Sequence, residues 1–362
     1  MKFKKFLRWE RMQKRYAVLL FLLVPLLMIF TSCIEEKEEG TMLQTQRHSD
    51  DLQEIYLAGG CFWGMEGYFK KVRGVEKTNV GYANGNTENT TYKDLHETDH
   101  AETLEIIYNK NIVSLQELLV RFFSIIEPTS INKQGNDVGR QYRTGIYYKD
   151  ESIRPMIDTV FEFMQKKIKD KIAVEVLPLR HFILAEDYHQ DYLDKNPGGY
   201  CHINLSRADE PLSQNLKVKS IPKNKLKEEL SDLQYRVTQH KETEKPFSSE
   251  YDKFNEKGIY VDIATGKPLF ASQDKYDAGC GWPSFTKAIT TDALDYTEDN
   301  SFGMQRIEVT TKKEGTHLGH VFNDGIKEKG GLRYCINGAS LRFIPYDKME
   351  EEGYGDYMIF IE

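Results

Sequence analysis

Cysteine is scarce in this chain, and the few cysteines lie far apart. The 362 residues contain five of them: Cys33, Cys61, Cys201, Cys280 and Cys335. No two form a Cys-x-x-Cys pair, so the spacing typical of zinc ribbons and of many thiol–disulfide exchange proteins is missing. The sequence also lacks a nicotinamide or flavin fingerprint and any internal repeat. We therefore predict no cofactor and no metal.

Acidic residues outnumber basic ones beyond the N-terminus. The net charge is −7, and residues 1–32 carry seven basic groups and one acid, so the remaining chain stands at −13. A body this acidic repels phosphate backbones. We therefore exclude nucleic acid as a partner.

The N-terminal apolar run is too short for an ordinary membrane span, which needs about 20 residues. It covers residues 17–30, follows a basic stretch and is followed by Thr31, Ser32 and Cys33. This order is typical of an export signal. The cysteine at its boundary resembles a bacterial lipobox, in which that residue becomes the lipidated first residue. We expect a cell-envelope protein anchored to a bacterial membrane through Cys33; an uncleaved membrane anchor is the alternative.

The length suits two domains plus additional segments. We predict a signal peptide at 1–32, a charged tether at 33–51, a first domain at 52–205, a Lys-rich linker at 206–226 and a second domain at 227–362.

The first domain mixes strand and helix patterns. Predicted strands cover residues 54–58, 103–108, 144–148 and 173–177. Predicted helices begin at residue 62, run from a Ser114–Glu117 capping box to about 126, and cover 151–168 and 186–195. Strands separated by helices predict one central sheet. We therefore predict an α+β fold class, in which this domain is a two-layer α/β sheet of the ferredoxin-like type.

The second domain has a different pattern. After a short helix within residues 227–240, short strands are predicted at 259–263, 269–271, 305–310 and 332–336, separated by turn residues. This pattern predicts a mostly antiparallel β domain.

Cys61 lies directly after a predicted strand, at the start of a helix. A helix N-terminus presents unpaired N–H groups and positive potential, which favour a thiolate. Gly59 and Gly60 allow close approach to the backbone, and Phe62 and Trp63 supply flat apolar surface beside the sulfur. A small buried residue in a first turn is the alternative interpretation.

Residues 60–66, Gly-Cys-Phe-Trp-Gly-Met-Glu, are similar to the active-site signature of the A-type peptide methionine sulfoxide reductase, which is specific for the S-sulfoxide. Further similar segments follow in order at residues 81–85, 100–102, 134–137, 141–143 and 185–190. The resemblance covers about residues 54–203.

The resemblance implies a role for each residue of the first site. Cys61 would attack the sulfoxide sulfur while Glu102, held neutral by burial, protonates the oxygen. Tyr82 and Tyr142 would donate hydrogen bonds to that oxygen, and Asp137 would hold the surrounding network. The alternative interpretation of each residue alone is a core ring with a satisfied hydroxyl for the tyrosines, and a solvated carboxylate or a helix cap for Glu102 and Asp137.

The remaining roles concern binding and turnover. Phe62 and Trp63 would contact the S-methyl group of the substrate. Attack would leave Cys61 as a sulfenic acid, which condenses with a second thiol. Cys201 is the candidate resolving cysteine.

Three segments of the second domain, at residues 279–285, 317–322 and 333–337, resemble the B-type reductase, which is specific for the R-sulfoxide. This resemblance covers about residues 227–355. It implies that Cys335 is the nucleophile, that Cys280 resolves it, and that His317 and His320 supply the proton and orient water.

Three further residues complete the predicted second site. Trp282 would pack on the methyl group, Asn337 would complete the polar side, and Arg333 would lower the thiol pKa. Asn323 stands where an acid is common and Gly338 where serine is common, which affects details of substrate contact.

A metal site at His317 and His320 is the alternative interpretation of this cluster. Zinc favours closely spaced cysteine pairs, which the chain lacks, so we predict none.

These observations predict a bifunctional enzyme that reduces free or protein-bound methionine S- and R-sulfoxides and repairs oxidised envelope proteins. Each cycle would end in a disulfide, so a thioredoxin-like partner would supply electrons. The rival interpretations are an envelope thiol–disulfide exchange protein and a non-enzymatic surface lipoprotein with structural disulfides.

Overall fold

The structure is a computed structural model that describes residues 51–212, 218 and 220–361. The predicted signal peptide and the lipid anchor at Cys33 lie outside the described residues. Among the described helices, none is both long and apolar enough for a bilayer crossing.

The N-terminal half contains strands and helices in alternation. The strands are β1 (Leu52–Gly59), β2 (Val75–Ala83), β3 (Ala101–Asn109), β4 (Lys133–Gln134), β5 (Asp137–Val138), β6 (Thr144–Tyr148), β7 (Glu175–Pro178) and β8 (Phe182–Leu184). The α-helices are α1 (Phe62–Phe69), α2 (Leu95–Thr98), α3 (Leu115–Ile125), α4 (Arg154–Lys167) and α5 (Tyr192–Lys195). Short 3-10 helices cover Tyr92–Asp94, Arg140–Tyr142, Glu151–Ile153 and Leu205–Asp209.

The C-terminal half begins with helices and continues as strands. The helices are α6 (Leu226–Glu229) and α7 (Asp232–His240). The strands are β9 (Gly258–Asp262), β10 (Pro268–Ala271), β11 (Lys275–Tyr276), β12 (Ser284–Phe285), β13 (Leu294–Asp299), β14 (Arg306–Thr311), β15 (His317–Phe322), β16 (Arg333–Ile336) and β17 (Leu341–Pro345). The 3-10 helices here are Lys223–Lys225, Ser272–Asp274, Ser301–Gly303, Lys327–Lys329, Gly338–Ser340, Tyr346–Lys348 and Gly355–Phe360.

The N-terminal half is organised around a mixed six-stranded sheet with the order β7-β6-β1-β3-β2-β8. All neighbours are antiparallel except β6 and β7. Strand β1 is covered on both faces: Ile55 and Leu57 enter the main core, while Tyr56 and Ala58 pack on the opposite side. The mixed α/β prediction is confirmed, whereas the strand order does not confirm the ferredoxin-like type.

The C-terminal half consists of antiparallel sheets, as predicted. A three-stranded sheet has the order β10-β9-β17, and a six-stranded sheet has the order β11-β12-β16-β15-β14-β13. Ser231 is the N-cap of helix α7 and forms a reciprocal capping box with Gln234. The structure therefore has two helices where one was predicted within residues 227–240, because α6 ends at Glu229 and α7 begins after this cap.

The helix predicted at residues 186–195 is largely wrong. Only α5, its last turn, is helical. The Glu186 carboxylate instead accepts hydrogen bonds from the Tyr82 hydroxyl and the Tyr92 N–H. Asp191, with φ of 53°, adopts the left-handed conformation, which interrupts a right-handed helix. Side-chain contacts with distant strands therefore outweigh the local helical pattern.

The predicted capping box at α3 is only half formed. The Ser114 hydroxyl accepts from the Glu117 N–H at 3.2 Å. The Glu117 side chain, however, turns inward and accepts from Arg121 and from both the N–H and the hydroxyl of Thr291. Arg121 also pairs with Asp292 at 3.0 Å. This buried cluster joins α3 to the loop before β13.

A second contact between the halves lies near β16. The Arg73 guanidinium is 4.4 Å from the centre of the Tyr296 ring, whose hydroxyl is 3.0 Å from that of Tyr334. A single hydrophobic core cluster includes residues of both halves. The two halves are therefore packed together as one body.

Candidate functional sites

Cys61 is placed by the junction of β1 and α1. It is the N-cap residue of α1 and is only 6% exposed. Gly60, with φ of 85°, makes the turn into the helix, and a Cβ there would be 2.5 Å from the Cβ of Gln134. Only glycine suits this turn, which holds the sulfur at the end of the helix.

Glu102 faces Cys61 from β3 and is 2% exposed. Its Oε2 accepts a hydrogen bond from the Phe62 N–H at 3.1 Å. Burial raises the pKa of Glu102 to about 8, although the Phe62 N–H opposes this rise and the charge of Asp137 adds to it. At neutral pH the carboxyl is therefore mostly protonated, as a proton donor must be.

The Cys61 thiol does not have the low pKa that its helix position suggested. Burial raises its pKa to about 12, and the nearby Glu102 charge adds to the rise. Hydrogen bonds from the N–H groups of Trp63 and Gly64 oppose it. The helix terminus does favour the thiolate, but desolvation outweighs it, so the substrate-free residue is a neutral thiol.

The two predicted tyrosines both lie near Glu102. Tyr82 is buried, and its hydroxyl donates to Glu186 at 2.6 Å. The pKa of Tyr142 is raised by burial and by the charges of Glu102 and Tyr92, with smaller contributions that include Cys61. Tyr82 pairs in register with Glu102 across strands β2 and β3, and the Glu102 charge contributes to the raised pKa of both tyrosines.

Phe62 and Trp63 form an aromatic wall beside Cys61. Trp63 stacks on Tyr192 with ring centres 3.7 Å apart, and its indole N–H donates to His189 Nδ1 at 3.1 Å. The Phe62 ring centre is 5.1 Å from that of His189. The sequence analysis assigned no role to His189 or Tyr192, although His189 lies in one of the similar segments.

Asp137 is linked to the segment that carries Cys201. The hydroxyl of Tyr200, the residue before Cys201, donates to Asp137 at 3.2 Å. A Cβ on Gly64 would be 3.1 Å from the Cys201 sulfur, so the second thiol packs on the first turn of α1. Burial raises the pKa of Cys201, whose thiol donates to the Ile203 carbonyl at 3.1 Å.

The second site is formed by neighbouring strands of the larger C-terminal sheet. Cys335 on β16 pairs in register with Ser284 on β12 and with His320 on β15. The Cys280 and Cys335 sulfurs are 3.7 Å apart, and both are free thiols. A cleft of about 310 Å³ opens beside Cys280, lined in part by Arg333.

The two thiols differ in acidity. Burial raises the pKa of Cys335 to about 12, and the adjacent Cys280 adds to the rise, while Arg333 opposes it. Burial also acts on Cys280, but hydrogen bonds with Ser284, Trp282 and Cys335 lower its pKa overall. Arg333 acts to lower the pKa of Cys335, as predicted, but burial outweighs this effect.

The two histidines are each held by a carboxylate. His317 Nδ1 is 2.7 Å from Glu308, and His320 Nε2 is 2.8 Å from Asp299. Burial lowers the pKa of both histidines, although the carboxylates oppose this. Both rings are therefore mostly neutral at pH 7. Sequence reasoning missed Glu308 and Asp299, because the pairing of strands brings them to the histidines.

Trp282 and Asn337 are both bound to the backbone of Glu244. The Trp282 indole N–H donates to the Glu244 carbonyl at 3.2 Å, and the Glu244 N–H donates to Asn337 Oδ1 at 3.0 Å. Asn337 Nδ2 donates to the Leu318 carbonyl at 3.0 Å. The Asn337 amide therefore has partners on both sides.

A metal ion has no evident ligand set in this arrangement. Across the described ranges of the chain, no group of three or more His, Cys, Asp or Glu residues is placed to hold one.

Both sites contain two thiols together with groups that handle protons, and Cys61 is the buried one of the four. They define a thiol-based oxidoreductase with two separate centres. Residues 53–220 match the family model for peptide methionine sulfoxide reductase, and residues 230–345 match the model for the SelR domain.

Solved structures similar to this chain are matched by its N-terminal part. The reduced form of Mxr1 from Saccharomyces cerevisiae is 38% identical, with 43% of this chain and 92% of that chain covered and a TM-score of 0.41. Methionine sulfoxide reductase A of Corynebacterium diphtheriae is 35% identical, with coverage of 44% and 81% and a TM-score of 0.41. Mxr1 in complex with Trx2 is 27% identical, with coverage of 42% and 91% and a TM-score of 0.30.

The chain therefore contains a peptide methionine sulfoxide reductase domain followed by a SelR domain. Its two domains carry the peptide-methionine (S)-S-oxide and (R)-S-oxide reductase activities.

Proposed function

We propose that Cys61 and Cys335 are the two nucleophiles, one for each sulfoxide epimer. The observation that supports this most directly is the placement of each thiol: Cys61 is buried close to Glu102, and the Cys335 sulfur is 3.7 Å from that of Cys280. The N-terminal enzyme domain covers residues 52–205 and the C-terminal one 227–362, as the starts of the family matches at 53 and 230 support.

In the first site, Cys61 attacks the sulfoxide sulfur and Glu102 delivers a proton to the oxygen. The protonated oxygen transfers from the substrate sulfur to the Cys61 sulfur as the hydroxyl of a sulfenic acid, the thiol proton restores the Glu102 carboxyl, and methionine is released. Tyr142 stabilises the charge that develops on the oxygen, and Tyr82 joins it when its hydroxyl turns from Glu186 to the substrate. Because Cys61 is neutral before substrate binds, its proton must move as the S–O bond breaks.

Phe62 and Trp63 hold the methyl group, and their orientation is maintained by His189 and Tyr192. The Cys201 thiol then attacks the sulfenic acid, forming a disulfide and releasing water. The position of Cys201 on the first turn of α1 supports this role.

In the second site, Cys335 and Cys280 perform the same two steps. His317 and His320, each held by a carboxylate, transfer the Cys335 thiol proton to the oxygen, and Trp282 contacts the methyl group. The 3.7 Å separation of the sulfurs supports direct condensation. A dithiol reductant of the thioredoxin type then reduces each disulfide, with the cleft beside Cys280 as its access route.

The decisive experiment assays Cys61→Ser and Cys335→Ser on each purified diastereomer with dithiothreitol. Cys61→Ser should abolish reduction of the S epimer and leave the R epimer unaffected; Cys335→Ser should do the opposite. Loss of both activities in either variant would refute independent sites. In Cys201→Ser and Cys280→Ser, one equivalent of methionine should still form in a single turnover without reductant.

The protein is anchored in the cell envelope through lipid on Cys33 and repairs oxidised methionine in envelope proteins. The basic start, the short apolar run and the small residues before Cys33 support this. Mass spectrometry of the mature N-terminus tests it: a diacylglyceryl-modified Cys33 is expected, and an unmodified cysteine would refute it.

A further inference from the structure

Glu244 is a buried carboxylate that no step above uses. It lies in the segment between α7 and β9 and is only 4% exposed. Its Oε1 accepts from the Gly338 N–H at 2.6 Å, and its Oε2 accepts from the Ala339 N–H at 2.9 Å. The carboxylate therefore holds the first two residues of the 3-10 turn that follows Asn337.

The backbone of the same residue holds the other side of the site. The Glu244 N–H binds the Asn337 side chain, and its carbonyl binds the Trp282 indole. These two bonds and the two carboxylate bonds all converge on one residue. Because Asn337 comes two residues after Cys335, Glu244 connects the strand of the nucleophile with the aromatic side of the pocket.

This arrangement has an energetic cost. Burial raises the pKa of Glu244, the two N–H groups oppose this, and the charge of Asp252 adds to the rise. Within the described part of the chain, no lysine or arginine forms an ion pair with this carboxylate. Burying a carboxylate without a cationic partner costs free energy, which its hydrogen bonds offset only in part. The burial of Glu244 is therefore explained more directly by its geometric effect, because it holds the turn after Asn337 and the segment that carries Trp282 in place.

Gly338 shows how closely these segments approach. A Cβ on Gly338 would collide with the Ser249 hydroxyl and lie 3.4 Å from Glu244 Oε1. A side chain at this position, such as the serine common there in the family, therefore requires Ser249 to move. The Gly338 N–H instead lies against the carboxylate.

We propose that Glu244 is a positioning residue for R-sulfoxide reduction, whose side chain fixes the turn after Asn337 and thereby keeps Asn337 and Trp282 in their places around Cys335. This inference rests on the proposed role of Trp282 as the surface that contacts the methyl group.

The test compares Glu244→Gln with Glu242→Gln in the full-length enzyme. Glu242 is two residues away and its side chain is 48% exposed, so it is a matched control. We expect Glu244→Gln to lower kcat/KM for the R epimer by about 10- to 100-fold, mainly through KM, because a misplaced pocket wall weakens productive binding. S-epimer reduction by the same molecules should stay within about twofold and so reports correct folding.

A second measurement observes Trp282 itself. The chain has three tryptophans, so Trp9→Phe and Trp63→Phe leave Trp282 as the only fluorophore. In that background, Glu244→Gln should increase quenching by acrylamide, whereas Glu242→Gln should not. Glu244→Asp, which keeps the charge but shortens the reach, should show an intermediate loss of R-epimer activity.

Three outcomes would overturn the proposal: R-epimer kcat/KM within twofold of wild type, a parallel loss of both activities, or a loss without a change in Trp282 quenching. Failure of the underlying function is distinguishable, because Trp282→Phe would then leave the R-epimer KM unchanged whatever Glu244 does.

Discussion

Replacing Arg121 with methionine should destabilise the whole body of the protein. Arg121 is 1% exposed and lies 2.8 Å from Glu117 and 3.0 Å from Asp292, which belongs to the other domain. Methionine preserves much of the volume but leaves two buried carboxylates facing each other without a cation. The wild-type cluster contributes little net stability, but its disruption is expensive because the remaining charges stay desolvated.

The expected loss is about 3–5 kcal/mol in the free energy of unfolding. A control is available in Arg236→Met, because Arg236 pairs with Asp232 on the surface, where the two side chains are 44% and 88% exposed. An exposed pair of this kind contributes no more than about 1 kcal/mol. Urea denaturation, followed by fluorescence and by both activities, measures the two variants side by side.

The loss of unfolding free energy in Arg121→Met should also depend on pH. Burial already raises the pKa of Glu117, and Arg121 opposes that rise. Without the arginine, the folded-state pKa of Glu117 rises further above the unfolded value, so the folded state binds more protons. Stability then falls as pH increases above the unfolded value of about 4.3. Arg121→Met should therefore be less damaging at pH 5 than at pH 8. A loss below about 1 kcal/mol at pH 8 would refute the buried cluster.

Three further results are expected. Glu102→Gln should lower S-epimer turnover by about 10²- to 10⁴-fold and leave R-epimer turnover unchanged in the diastereomer assay, because the proton donor is lost; equal loss of both would contradict this. With the other cysteines replaced by serine, iodoacetamide alkylation of Cys61 should rise about tenfold per pH unit through pH 10 without a plateau, because burial raises its pKa to about 12; a plateau near pH 8 would contradict it. Gly338→Ser should cost about 1–3 kcal/mol in urea unfolding because Ser249 occupies the space, and an unchanged midpoint would contradict the close approach.

The local sequence pattern predicted secondary structure correctly where the burial of a segment in the fold followed the pattern of its apolar residues. The strand predicted at residues 144–148 is β6 with the same bounds, because every residue from Thr144 to Tyr148 is buried in the sheet. It was insufficient at residues 186–195, because Glu186 is committed to Tyr82 and Tyr92, which lie about a hundred positions earlier in the chain.

The candidate sites also contain some residues that the sequence predicted and others that only the structure reveals. The sequence identified Cys61 and Glu102 through their motifs, and β3 indeed brings Glu102 to the start of α1. It did not identify Glu308 or Asp299, because strand alternation gives the face of a side chain but not the register with the next strand. Nor could a pattern foresee that burial outweighs the helix terminus at Cys61, since that balance depends on the surrounding packing.

The shared interior of the two domains has a consequence for how much of each catalyst is present. Because one apolar cluster runs through both halves, partial melting that removes one activity while sparing the other is disfavoured. The two stereospecific catalysts are therefore maintained at a ratio of one to one, from synthesis to degradation. The relative clearance of the two epimers is then set by the kinetic constants of the sites and not by separate regulation of two gene products.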